Sequence, residues 1–248
     1  MDRIEFHCAG SYSELSPWQR EEICLRMEDD RRDFQELYRE MVLILLMGNP
    51  SRKNKKRVQR LLSEISIEQL LPLGKFLLTD RDLFSFPEIW DGLTTPLPRL
   101  SNCTIRQFSV ADMLFYQYSK KREELYARQL VASLYCWGAS EFDPLLLPKI
   151  AEVTDSISPG TRAAIVFAYR CTREYIIERY PAVFTKSSYR EDTPIFRRQG
   201  DYTPFSKVIA AMAMDSTQPL GNWHECSATR LYDFLEILNE SILRSKHT

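Results

Sequence analysis

The residue types able to do covalent or metal chemistry are sparse: six cysteines and three histidines in 248 residues. Cys8, Cys24, Cys103, Cys136, Cys171 and Cys226 are scattered and never form a C-x-x-C pair. That spacing fits neither a zinc site nor a disulfide framework, so reduced, buried thiols are expected. His224-Glu225-Cys226 sets three potential ligands side by side. Adjacent residues converge poorly on one ion, and no H-x₃₋₅-H or C-x₂-C pair supports them. A Cys–His nucleophile would need Cys136 or Cys171 to meet His224. Both cysteines lie in apolar helical patterns, where a thiol keeps a high pKa and attacks weakly. G-x-S-x-G, Walker A, G-x-G-x-x-G and H-E-x-x-H are all absent. Glu21-Glu22 and Glu123-Glu124 are neighbours at different helix azimuths and do not make an acid/base pair. The sequence predicts no catalytic, cofactor or metal residue, and hence a protein that is not an enzyme.

Two stretches stand out for contact rather than chemistry. Arg52, Lys53, Lys55, Lys56 and Arg57 form the sharpest charge cluster, a candidate phosphate-binding or polybasic patch. Its plainer reading is a solvated loop, partly offset by Glu64 and Glu68. A formal charge of −1 argues against a whole surface built for nucleic acid, although this cluster keeps a nucleic-acid-associated role open. The second stretch is 134–137, where Tyr135 and Trp137 must be buried or serve as anchors for a partner. Tyr116, Tyr118 and Tyr126 near Lys120-Lys121-Arg122 can in principle stack bases, but aromatics at helical spacing usually belong to a core.

Helical periodicity dominates the chain that must position these groups. Ser16-Pro17-Trp18-Gln19 is a compact helix start running to about residue 27. Phe34, Leu37, Tyr38, Met41, Val42, Leu45 and Leu46 share one face of a helix that Gly48-Asn49-Pro50 ends. Residues 58–78 predict short helices broken at Pro72, with Leu61, Leu62, Ile65, Leu70, Leu71, Phe76 and Leu77 buried. Within 108–137, Ser109 is expected as N-cap with Asp112 answering it, and Phe108 and Met113 as a hydrophobic staple. The apolar stripes on either side of Lys120 do not align, so two helices meeting there are as consistent as one. Residues 138–160 read as a connector, 161–180 as a helix stopped by Pro181, and 185–203 as a mobile loop. Thr203-Pro204 starts another helix, and Asn222 caps a last one carrying Leu231, Phe234, Leu235, Leu238 and Ile242.

These patterns predict an all-α, irregular multi-helix fold of seven to nine helices, with a short extended N-terminal arm or small β element as an addition. The expected division is an N-terminal helical part (1–80), an irregular connector (81–107) and a C-terminal helical part (108–248), or one continuous domain. Hydrophobic content of 44% and charged content of 27% are those of a globular protein. The stretch 1–10 has no apolar run of the signal-peptide kind, and 41–47 is too short to span a bilayer.

One resemblance adds to this. The order runs from Ser13-Glu14-Leu15-Ser16-Pro17-Trp18-Gln19 to a Phe-x-x-Ala-Asp-Met-x-x-Tyr helix segment at 108–116. Leu130-Val131-Ala132-Ser133-Leu134-Tyr135 follows, then Cys171-Thr172-Arg173 and Arg179-Tyr180-Pro181-Ala182-Val183-Phe184. This pattern resembles a family encoded in tail-gene clusters of phages and prophages of Bacteroidetes, with Cys136-Trp137-Gly138 replacing that family's basic or proline ending after Leu-Tyr. The resemblance implies a tail-assembly chaperone or minor tail component, and a tape-measure or tail-tube protein as partner. It places the chain in the bacterial host cytoplasm during assembly or in the virion, and it implies no cofactor.

Overall fold

The computed structural model describes residues 6, 8–138, 141–184 and 203–245. The fold is all-α, as the periodicity predicts; among the described residues, eight helices have ten or more residues. The β element is a two-residue antiparallel pair, β1 (Leu93–Thr94) with β2 (Cys136–Trp137), in register Leu93–Trp137 and Thr94–Cys136. The N-terminal arm falls outside the described residues except at positions 6 and 8, as does the loop expected at 185–203 up to residue 202. The chain divides into two compact units: Met1–Phe84 with Ile157–Cys171, and Ser85–Ser156 with Thr172–Thr248.

In the first unit, α1 (Pro17–Met27) starts with the expected capping box: Ser16 accepts from the Gln19 backbone, and Gln19 Oε1 accepts from Ser16 N. α2 (Phe34–Met47) is capped by Asp33 and closed by Gly48 at φ 67°, a left-handed conformation that glycine adopts without a Cβ penalty. The helices fold back on one another because the buried Gln19 amide donates to Ile44 O and Leu45 O near the end of α2. α3 (Arg52–Leu62) follows, then α4 (Ile67–Leu70), a 3₁₀ turn at Leu71–Gly74, and α5 (Lys75–Thr79). The break at Pro72 is therefore a 3₁₀ turn. Leu70, Phe76 and Leu77 are buried as expected, whereas Leu62, the last residue of α3, is exposed. Tyr12 packs on Phe76 and Phe167 and donates its hydroxyl to Leu77 O at 3.0 Å.

The second unit is built on α6 (Ile105–Lys121) and α7 (Glu124–Leu134). The break near Lys120 is real: Arg122 sits at φ 55°, its N–H bonded to Tyr118 O, and the chain reverses there. The cap is not Ser109. Thr104 caps α6, accepting from Gln107 N, while Ser109 and Asp112 lie inside the helix and face inward. Met113 is exposed, so there is no staple with Phe108, which packs edge-on against Phe205 instead. The supposed connector at 138–160 contains α8 (Leu147–Thr154), which packs on α7. α9 (Pro159–Arg179) supplies residues to both units. α10 (Phe205–Met214), α11 (Trp223–Ala228) and α12 (Leu231–Ser245) lie against α6. Asn222 caps the short α11 rather than the last helix, because Thr229 and Arg230 break the helix before α12 and bridge back to the start of α6.

Candidate functional site

The basic cluster is not a loop. Ser51 caps α3 by accepting from Asn54 N at 3.1 Å, and the Asn54 amide donates to Met47 O and Asn49 Oδ1 at 2.9 Å each. Lys and Arg are good helix formers, so nothing in 52–57 opposes the helix once it is capped. Its inner face is narrow. Val58 is buried against Val42, Leu46 and Leu70, with Leu61 packed alongside. A helix turns 100° per residue, which puts Arg52, Lys53, Lys56 and Arg60 on the face opposite Val58, while Lys55 lies about 60° from Val58, beside the inner face. All five are exposed.

The expected acidic offset is elsewhere. Glu64 lies 4.0 Å from Arg60, and Glu68 lies 3.5 Å from Arg39. Among the described residues, Arg52, Lys53, Lys55 and Lys56 make no ion pair. Arg57 is set apart from them: it is only partly exposed, and its guanidinium lies 5.2 Å from the Phe6 ring centroid. Together with Asn54, Met47 and Gly48, these two line a shallow open cleft of about 140 Å³.

Tyr135 is not available to a partner. It is fully buried, and its hydroxyl donates to Pro87 O at 2.7 Å, so it fixes the preceding segment instead. Trp137 stays partly exposed on β2. Its ring lies 5.3 Å from the Trp90 ring, and Lys149 Nζ sits 3.7 Å from its centroid. Trp90 is 45% exposed and rests on Gly92, where any Cβ would collide with its ring. Trp137 is thus one member of a Trp–Trp–Lys edge in which the two rings are tilted by 47°. The Tyr118 ring is buried and carries Arg122 at 5.5 Å, while Lys120 and Lys121 lie over Tyr116 and Tyr126.

The groups with chemical potential are held quiet. His224 is exposed at the start of α11, whereas Cys171 is fully buried in α9. Burial raises the pKa of Cys24 and Cys103 far above the ordinary thiol value, and raises that of Cys8 and Cys136 as well. At neutral pH these side chains are thiols rather than thiolates, the form that neither attacks carbonyls nor binds metal readily. Cys103 Sγ donates to Gln107 Oε1 at 3.2 Å, and Gln107 Nε2 lies 3.6 Å from Cys136 Sγ. Among the described residues, no group of three His, Cys, Asp or Glu is placed to hold a metal ion, and no helix is long and apolar enough to cross a membrane.

Sequence reasoning missed one cluster. In the second unit Arg99 stacks on Tyr175 at 4.6 Å, and Arg179 donates to the Tyr175 hydroxyl at 3.1 Å. Arg179 also lies over Tyr180 and Tyr232, and Tyr232 donates to Arg99 O at 2.7 Å. Arg99 and Leu100 both adopt positive φ, 59° and 58°. The only local hint was Tyr175, Arg179 and Tyr180 at helical spacing; the loop and α12 that complete the cluster are remote in sequence. Comparison with known proteins yields no matching family model, curated protein or solved structure.

Proposed function

We propose that this protein performs no covalent chemistry and works by holding another macromolecule, as a phage structural or assembly protein of the tail-assembly kind its sequence resembles. The observation that carries this is the outer face of α3, where Arg52, Lys53, Lys55 and Lys56 are exposed on a firmly capped helix with no ion-pair partner among the described residues. Unneutralised like charges on one face repel one another, and a partner of opposite charge relieves that repulsion. The protonated, buried thiols support the non-catalytic part of the reading. The Trp90–Trp137 edge offers a second contact of aromatic character, suited to an anchoring role at a protein interface.

The role in tail assembly predicts a complex with a tape-measure or tail-tube protein encoded beside this chain, formed in the host cytoplasm or retained in the virion. Co-expression followed by size-exclusion chromatography tests it. Co-elution that weakens in Trp137→Ala supports the proposal. Elution of this chain alone in the presence of both partners contradicts it.

A further inference from the structure

We infer that the outer face of α3 binds the phosphate backbone of nucleic acid, without reading its sequence. The inference rests on the proposal that this face is a contact surface, and it names the partner's chemistry. Arg52, Lys56 and Arg60 stand at i, i+4 and i+8. At 1.5 Å rise per residue they form a row with steps of roughly 6 Å, on the scale at which phosphates follow one another along a strand. Lys53 widens this row on one side and exposed Lys55 lies farther round on the other, so the cations form a band along the helix rather than a point.

The composition of the face separates a nucleic acid from an acidic protein. Protein interfaces are depleted in Lys and gather aromatic anchors at their centre. The band carries Lys53, Lys55 and Lys56 and no aromatic side chain. Phosphate contacts, by contrast, are made chiefly by Lys and Arg, whose charge displaces condensed counterions. The one exposed amide on the face is Gln59, too little to read base edges, so affinity is independent of sequence. The local basicity is set in a chain of formal charge −1, so the attraction is that of a local cluster and not of a generally basic surface.

Fluorescence anisotropy with a labelled oligonucleotide, single-stranded and duplex, tests the inference on the full chain. With about four phosphates engaged, log K against log salt should fall with a slope of about −3, a loss of roughly 60-fold between 50 and 200 mM salt. Lys53→Gln, Lys55→Gln and Lys56→Gln combined should lower affinity at low salt at least ~10-fold and reduce the slope to about −1. Gln at these exposed positions keeps helix propensity, and an unchanged circular dichroism spectrum confirms that the fold is retained. Scrambling the oligonucleotide sequence should leave affinity unchanged. No binding at low salt, or binding unaffected by the triple substitution, overturns the inference. Equal or tighter binding of poly-glutamate also overturns it, while leaving standing the proposal that α3 is a contact face for an acidic protein.

Discussion

Gln107, in the first turn of α6, donates Nε2 to the backbone oxygen of Leu134 at 3.0 Å, tying the start of one helix to the end of the next. The same amide also donates to Ser133 O at 3.0 Å. Gln19 does the equivalent in the first unit, from the first turn of α1 to Leu45 O at 3.0 Å and Ile44 O at 3.3 Å. In both pairs a capped helix start carries a buried amide that donates to carbonyls in the last turn of the other helix, Ile44 O also accepting from Gly48 N. The Gln107 latch holds the segment from which Tyr135 and Trp137 follow.

Gln107→Leu should therefore destabilise the second unit by about 1–3 kcal/mol, because two buried carbonyls lose their donor. Gln19→Leu should destabilise the first unit as well, because Leu45 O loses its Gln19 donor and Ser16 N loses its capping acceptor. Urea denaturation checks both, with Gln59→Leu, an exposed position, as the substitution that should change little.

Asp112 has no exposed side-chain surface and pairs with Arg173, whose side chain is 12% exposed. Removing one partner leaves a buried charge, so Asp112→Ala should cost about 3–5 kcal/mol. Combining it with Arg173→Met should recover much of that loss, since a buried pair replaced by apolar groups is often neutral. The same denaturation experiment distinguishes the single from the double substitution.

Arg122 holds a left-handed conformation at φ 55° that costs a side-chain-bearing residue about 1–2 kcal/mol. Arg122→Gly removes that strain, but Gly lowers stability through its greater freedom in the unfolded chain. The expected net effect is a gain of up to about 1 kcal/mol. Arg122→Val, a β-branched residue, should destabilise, and the two melting temperatures relative to the parent decide the point.

Stability should fall in alkali. Burial, then the neighbouring Tyr175 and Tyr180, push the Tyr232 hydroxyl up from an ordinary value of 10.0 to about 12. The folded protein keeps this proton when the unfolded chain has lost it. The contribution is thus whole below pH 10 and disappears progressively as pH rises to about 12. Burial shifts Tyr12 and Tyr135 in the same direction. A melting temperature followed from neutral pH to about pH 12 should decline along this limb, and Tyr232→Phe should make the decline shallower.

Local signals carried the fold class and several helix ends, and non-local ones decided the site. The Ser16 capping box, the Gly48 stop and the break near Lys120 depend on neighbouring residues, and all are present. Ser109 looked like a cap because a polar residue stood before an apolar run. It and Asp112 face the interior instead, where Asp112 meets Arg173, 61 residues away. Thr104 and Gln107 carried an equal cap signal three residues apart, and the bond from Ile105 N to Thr229 O shows why the chain starts its helix there. Burial and an anchoring role are both consistent with Tyr135 in the sequence, because the acceptor that decides between them, Pro87 O, is 48 residues distant. The basic stretch looked like a loop because only Val58 and Leu61 mark its inner face, too few to register as a stripe.

The most direct test of the central claim, that α3 is the face by which this protein holds a polyanionic partner, is a nuclear magnetic resonance titration of the isotope-labelled chain with an unlabelled oligonucleotide. Amide shifts should concentrate in Arg52–Leu62 and fade as salt is raised. Shifts centred on Arg99, Tyr175 and Arg179, or none on α3 at low salt, would contradict it.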